Sequence, residues 1–300
     1  MINLRGIFPP LPTSFYENQD LYPEKIRENI EVLMKTDLAG ILVLGSNGEL
    51  VMLSEKEKEK VYATARVAIP PGKQMIAGTG GQSTRETVMI TKMAAKHGAD
   101  AALILNPFYY KGLMTPDVLV KHYHDVAEAS DIPVIIYNMP ANSGIDMNAE
   151  TIVRIAEHPN VVGLKDSGGN IAKMGEIVIN TRDDFQVLSG SAGFLLPALS
   201  IGAVGGILAL ANIFPRLCLD IINAFQKGEL DSARQTQLSI ISLNNVVTRQ
   251  WGIPALKAAM DYQGLYGGAV RSPLMPLDET RKAELFKLLG ILKNIPLTSG

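Results

Sequence analysis

Two patterns of apolar and polar positions alternate along this chain. Short runs of three to five mostly apolar residues, bounded by glycine, proline or polar turn residues, alternate with longer stretches of helical apolar spacing. The first pattern suits strands buried on both faces of a parallel sheet, and the second suits amphipathic helices laid over it. Eight runs predict strands: Gly6–Phe8, Gly40–Leu44, Gln74–Ala77, Ala101–Leu105, Val134–Tyr137, Val161–Lys165, Gln186–Leu188 and Gly205–Leu208. Helices are predicted between them at Glu24–Lys35, Glu55–Ala68, Thr84–His97, Pro116–Ala129, Ala149–Glu157, Ile171–Thr181 and Phe194–Ile201. Ser54 before E-K-E-K and Asn148 before A-E-T are N-cap residues. Eight strands with intervening helices close into a (β/α)8 TIM barrel, whose catalytic groups sit at the C-terminal strand ends. From Pro215 onward the pattern is helical only, at Pro215–Gln226, Leu230–Thr248, Ile253–Tyr262 and Glu279–Lys293. The chain is therefore read as a catalytic barrel, residues 1–214, with a helical extension, residues 215–300, docked on it. No Ser/Gly-rich linker separates the two.

Composition narrows the function classes. Hydrophobic residues make up 47% and charged residues 19%, which supports a sizeable core. With 28 basic and 30 acidic residues the net charge is −2, and no single-sign run is long enough to engage nucleic acid or an anionic membrane. Cys218 is the only cysteine, and the four histidines have no ligand spacing, so neither a redox pair nor a structural metal is expected. The N-terminal segment lacks a signal-peptide pattern. The most membrane-like stretch, Phe194–Phe214, is broken by Gly202, Gly205, Gly206 and Asn212, so a soluble cytoplasmic protein is expected.

Lys165 carries the strongest chemical signal. It ends the apolar run N-V-V-G-L-K at the catalytic face of a barrel strand, where an unpaired ammonium is costly to bury. A lysine with a pKa near 10.4 is neutral in only roughly 0.04% of molecules at pH 7, whereas burial that lowers the pKa to about 7–8 frees a nucleophilic amine. Such an amine attacks ketones. A strand-end ion pair, for example with Asp166, explains the position equally well. Tyr137 ends the preceding strand and is either a proton carrier or a packed rim residue. The turn Gly45–Glu49 (G-S-N-G-E) can direct backbone N–H groups at a carboxylate, although glycine-containing βα turns are common. Tyr109 and Tyr110 follow the fourth strand, and Gly190 and Ser191 the seventh; alone, these read as ordinary loop residues. Gly78–Gly81 (G-T-G-G) lacks the spacing of a phosphate loop, and no G-x-S-x-G elbow is present.

Together these segments resemble the dihydrodipicolinate synthase and N-acetylneuraminate lyase superfamily of pyruvate-type class I aldolases, over nearly the whole length. The resemblance rests on G-S-N-G-E at Gly45, N-P-F-Y-Y at Asn106, Y-N-M-P at Tyr137, G-L-K-D at Gly163, L-S-G-S at Leu188 and G-A-V-G-G-I at Gly202. It implies that Lys165 forms the Schiff base, Tyr137 is the acid–base residue, and the backbone at Ser46 and Asn47 cradles the carboxylate. It also implies a hydroxyl relay of Ser46, Tyr137 and a tyrosine donated across a subunit interface, assigned here to Tyr109 with Tyr110 as a close competitor that otherwise borders the substrate, in a homotetramer built as a dimer of dimers. Asn142, Ser167, Gly190, Ser191 and Ile207 would border the bound 2-oxo acid. No metal or organic cofactor is implied.

Substrate choice turns on one departure. Dihydrodipicolinate synthases usually carry an arginine in the loop after the tyrosine strand, whereas this chain has Ala141 and Asn142. The loop, together with K-D-S-G-G at Lys165 and V-T-R-Q-W-G-I-P at Val247, is most similar to 4-hydroxy-2-oxoglutarate aldolases. The expected reaction is cleavage of a 4-hydroxy-2-oxo acid, such as 4-hydroxy-2-oxoglutarate or a 2-keto-3-deoxy sugar acid, to pyruvate and an aldehyde. The rivals are condensation of pyruvate with aspartate semialdehyde, and a non-catalytic barrel that only binds 2-oxo acids.

Overall fold

The computed structural model describes residues 2–292 and 297. The strands are β1 (Gly6–Phe8), β2 (Gly40–Val43), β3 (Gln74–Gly78), β4 (Ala101–Leu105), β5 (Val134–Asn138), β6 (Val161–Asp166), β7 (Gln186–Ser189) and β8 (Gly205–Ile207). All pair in parallel in the order β1-β8-β7-β6-β5-β4-β3-β2. A parallel bridge between Pro10 and Leu42 joins the two ends, with Leu11 N donating to Leu42 O at 2.8 Å and Leu42 N to Pro9 O at 3.0 Å. The eight strands and their surrounding helices form the expected TIM barrel.

Strand periodicity explains why the runs are apolar throughout. Alternate residues point to opposite faces. Phe8, Leu42, Ile76, Leu103, Ile135, Tyr137, Leu188 and Ile207 pack together as one cluster that fills the barrel. Their neighbours Ile7, Ile41, Val43 and Met75, and on the other side Ile104, Ile136, Leu164 and Val187, meet the helices instead.

The helices between the strands are α1 (Pro23–Leu33), α2 (Glu55–Ala68), α3 (Thr84–Lys96), α4 (Pro116–Ala129), the single turn α5 (Pro140–Ser143), α6 (Ala149–Ala156), α7 (Ile171–Asn180) and α8 (Leu195–Ser200). Ser54 caps α2 through a reciprocal capping box with Glu57, and Asn148 Oδ1 accepts from Thr151 N at 2.9 Å. Four longer elements follow: α9 (Pro215–Gln226), α10 (Leu230–Asn245), α11 (Gly252–Tyr262) and α12 (Glu279–Ile291). Ile221, Ile240, Leu256 and Leu285 belong to the same apolar cluster as Ile7, Ile41 and Leu208. Cys218 is free and buried within it. Among the described residues no helix is long and apolar enough to cross a membrane.

Several predicted boundaries move, each for a local reason. β2 ends at Val43 because Leu44 adopts φ +54° and leaves the strand; β8 ends at Ile207, one residue before its predicted end. The predicted helix Leu230–Thr248 stops at Asn245 and continues as a π-helical turn, Val246–Gln250, in which Trp251 N donates to Val246 O at 3.1 Å. The segment Phe194–Ile201 starts instead with a 3-10 turn, Ala192–Phe194. Lys293, predicted to end the last helix, lies outside the described residues.

Candidate active site

Parallel pairing sets the central geometry. In the register of β5 against β6, Tyr137 lies opposite Lys165 and Asn138 opposite Asp166; across β6 and β7, Lys165 lies opposite Leu188 and Asp166 opposite Ser189. Residues at the ends of three adjacent strands thus converge on one face. A cavity of about 640 Å³ opens there, lined by Ser46, Asn47, Tyr137, Asn142, Lys165, Ser167, Gly190, Ser191 and Ile207. These are nine of the eleven positions singled out from the sequence. Tyr109 and Tyr110 do not reach it: they are 75% and 67% exposed and pack edge to face on each other at 5.0 Å.

Lys165 is 4% exposed, and its Nζ stands 4.0 Å from the centroid of the Tyr137 ring. Among the described residues it has no carboxylate partner within salt-bridge distance. The alternative of an ion pair with Asp166 does not hold, because the Asp166 carboxylate is engaged elsewhere. It accepts from Asn138 Nδ2 at 2.8 Å, from Gly168 N at 2.9 Å and from Gly169 N at 3.1 Å, with Lys173 Nζ at 3.4 Å. Lys173 also pairs with Asp146 at 2.5 Å, and Asn138 Nδ2 donates to Asp146 at 2.8 Å. Asp166 therefore holds the loop after β6 in place and leaves Lys165 to the cavity.

Tyr137 Oη lies 3.4 Å from Ser46 Oγ. Burial alone would push the Tyr137 phenol up; the Lys165 ammonium, with hydrogen bonds from Ser46, Lys165 and Ser167, outweighs burial and holds the phenol below its ordinary value. The turn carrying Ser46 is a 3-10 turn, Ser46–Gly48, whose internal bonds begin at Gly48 N to Gly45 O (2.9 Å) and Glu49 N to Ser46 O (3.1 Å). The N–H groups of Ser46 and Asn47 therefore have no partner within the turn and are available to an anion. Leu44 and Glu49, at φ +54° and +56°, flank the turn; two non-glycine residues in the left-handed region mark strain around this site. On the opposite side, Gly190 has no room for a side chain, since a Cβ would stand 2.1 Å from Ser167 Oγ and 2.5 Å from Asp166 O. Asn244 Nδ2, from α10, donates to Ser191 Oγ at 3.0 Å.

Two features escaped the sequence reading. Thr248, Arg249, Gly252 and Ile253 of the C-terminal segment also line the cavity. The V-T-R-Q-W-G-I-P motif was the available signal, but nothing local ties it to the barrel mouth. The second feature is a buried ion pair behind the Ser46 turn: Lys257 Nζ lies 2.7 Å from Glu49 Oε1 and 4.6 Å from the Phe15 ring centroid, and donates to Ala269 O at 2.5 Å. Arg271 N donates to Glu49 Oε2 at 2.9 Å. Burial pulls the Lys257 ammonium below its ordinary value, and the Glu49 carboxylate opposes that pull. Lys257→Met leaves the Glu49 carboxylate buried and uncompensated, and should cost about 3–5 kcal/mol in a denaturant titration. Adding Glu49→Gln should restore part of the loss; full retention of stability in the single variant would show that the pair is not holding the turn.

A buried strand-end lysine facing a tyrosine and an amide cradle on a barrel's catalytic face is the equipment of a class I, Schiff-base lyase. The dihydrodipicolinate synthetase family model matches residues 3–292. A 4-hydroxy-tetrahydrodipicolinate synthase from Methanothrix thermoacetophila is 33% identical over 97% of this chain and 98% of its own. A probable mitochondrial 4-hydroxy-2-oxoglutarate aldolase from Emericella nidulans is 35% identical over 93% of this chain and 92% of its own. The crystal structure of dihydrodipicolinate synthase DapA-2 from Bacillus anthracis superposes with a TM-score of 0.93 at 30% identity, covering 99% of this chain and 100% of that one. The chain belongs to the dihydrodipicolinate synthetase family and is an enzyme, a carbon–carbon lyase of the Schiff-base type. The non-catalytic reading falls with that assignment.

Proposed function

We propose that this lyase cleaves a 4-hydroxy-2-oxo acid to pyruvate and an aldehyde through an imine on Lys165. The observation that carries the reading is the lone Lys165 amine, buried beside Tyr137 with its neighbouring carboxylate occupied elsewhere. The neutral amine adds to the C2 ketone, and the carbinolamine takes up a proton and loses water, giving an iminium. The iminium accepts the electron pair of the C3–C4 bond while Tyr137 takes the C4 hydroxyl proton, either directly or through Ser46, and the aldehyde departs. Protonation of the enamine at C3 and hydrolysis release pyruvate and return the amine. The N–H groups of Ser46 and Asn47 hold the substrate's C1 carboxylate, and Asn142, Ser167, Gly190, Ser191 and Ile207 border the rest. Cavity-lining residues from the C-terminal helices give the extension, residues 215–300, a part in the site. The exposed Tyr109 and Tyr110 suit contact with a second copy in a homotetramer, where one of them would join the hydroxyl relay.

The second reading is condensation of pyruvate with aspartate semialdehyde. The synthase named in Methanothrix favours it; the aldolase named in Emericella and the Ala141–Asn142 loop favour cleavage. Comparing kcat/KM in one buffer for 4-hydroxy-2-oxoglutarate, a 2-keto-3-deoxy sugar acid and the semialdehyde condensation separates the readings. A cleavage reaction should be fastest. Clear preference for the semialdehyde would overturn the substrate assignment and leave Lys165 untouched.

A further inference from the structure

The cavity holds a cation to which the reaction at Lys165 assigns no task. Arg249 lines it together with Thr248, and among the described residues its guanidinium makes no hydrogen bond or ion pair. The described lining contains no Asp or Glu, so the buried Lys165 and the exposed Arg249 border one cavity without compensating acid. The two cations have different fates. Lys165 is used as the imine nitrogen, and the C1 carboxylate is met by backbone N–H groups at the Ser46 turn on another side. Arg249 is thus left at the border of the cavity, exposed and free to meet the rest of a bound substrate.

Backbone geometry supports a binding role for this residue. Thr248 and Arg249 lie on the π-helical turn Val246–Gln250, and Gly252 follows at φ +57°. Both residues border the cavity, as do Gly252 and Ile253 at the start of α11. Single π-turns inside α-helical segments are frequent at functional sites. An arginine presents paired N–H donors that match a carboxylate, which neither Asn142 nor Thr248 can do.

We propose that Arg249 is a specificity-determining residue that grips a second carboxylate, on the aldehyde fragment of the substrate. The inference rests on the imine reading for Lys165 and extends it: the natural substrate is a dicarboxylate, and monocarboxylate sugar acids are poor alternatives. The arginine that synthases carry after the tyrosine strand is then replaced in space by one from the C-terminal segment.

The test uses the full-length enzyme in the addition direction, with pyruvate and either glyoxylate, which carries a carboxylate, or glyceraldehyde, which does not. The enamine carbon attacks the aldehyde carbon, the aldehyde oxygen gains a proton, and hydrolysis frees the product, so one chemistry serves both acceptors. The unaltered enzyme should prefer glyoxylate. Arg249→Gln should lower kcat/KM for glyoxylate about 10- to 100-fold, mainly through KM, with glyceraldehyde changed less than about twofold. Arg249→Lys should recover part of the glyoxylate activity, because it restores charge without the paired donors. Equal losses with both aldehydes, an unchanged glyoxylate reaction in Arg249→Gln, or no preference for glyoxylate in the unaltered enzyme would each overturn the proposal. Borohydride trapping with pyruvate alone reports on Lys165 separately: it should survive in Arg249→Gln, and its absence from the unaltered enzyme would count against the imine and not against Arg249.

Discussion

Pyruvate with borohydride should add one reduced pyruvyl unit to the protein, at Lys165, and Lys165→Ala should lose essentially all turnover. Borohydride reduces an iminium to a stable secondary amine, so peptide mass spectrometry reads the attachment point directly. The expectation rests on the environment of the amine. Lys165 is 4% exposed and next to Asp166 in sequence, yet that carboxylate is occupied by Asn138, Gly168, Gly169 and Lys173. In the proposed mechanism, removing this amine leaves no electron sink for C3–C4 cleavage, which proton transfer by Tyr137 cannot replace. The variant should remain folded, since it deletes a cation without leaving a paired partner buried alone. Labelling confined to another lysine, or normal turnover in Lys165→Ala, would remove the mechanism.

Tyr137→Phe should lower kcat by about 10²–10⁴-fold with KM for the 2-oxo acid much less affected, as expected for a group that moves a proton in the transition state. Only one oxygen is removed and the ring keeps its place in the barrel interior with Ile135 and Leu188, so circular dichroism and thermal unfolding should change little. The pH profile offers an independent check. With its phenol held below the ordinary value near 10 by Lys165, Ser46 and Ser167, Tyr137 reaches its basic form at lower pH than a free tyrosine. The rising limb of kcat that depends on this basic form should therefore lie below pH 10 in the parent and be absent from Tyr137→Phe. A variant with near-normal kcat and the same profile would leave Tyr137 a packing residue.

Much of this architecture is written in local pattern. The strand runs are apolar at every position because one set of side chains fills the barrel and the alternate set meets the helices, and that double burial separates them from the helical segments in the sequence. Helix starts at Ser54 and Asn148 were legible because a capping side chain acts within three residues. Strand ends were less so. Leu44 reads as one more apolar strand residue, but at φ +54° it leaves the strand so that the Ser46 turn can expose its N–H groups. The π-turn at Val246–Gln250 was equally hidden, since its five residues continue the helical pattern of α10.

The candidate site divides along the same line. Placing Lys165 and Tyr137 at C-terminal ends of neighbouring barrel strands required only strand order and periodicity, both of which are local properties of the chain. That they stand in register, with the ammonium over the ring, depends on how β5 and β6 slide against each other, and the pairing even shifts between Val134 and Ile135. Arg249 at the border of the cavity and Lys257 beneath the Glu49 turn depend on how a helical segment docks on strands far from it in sequence. Periodicity records which side of an element is buried and says nothing about which distant element covers it. The barrel and its lysine were thus determined by the order of residues along the chain, while the second cation and the buried pair behind the cradle were decided by packing, where burial energy and charge pairing select among dockings that the same pattern permits.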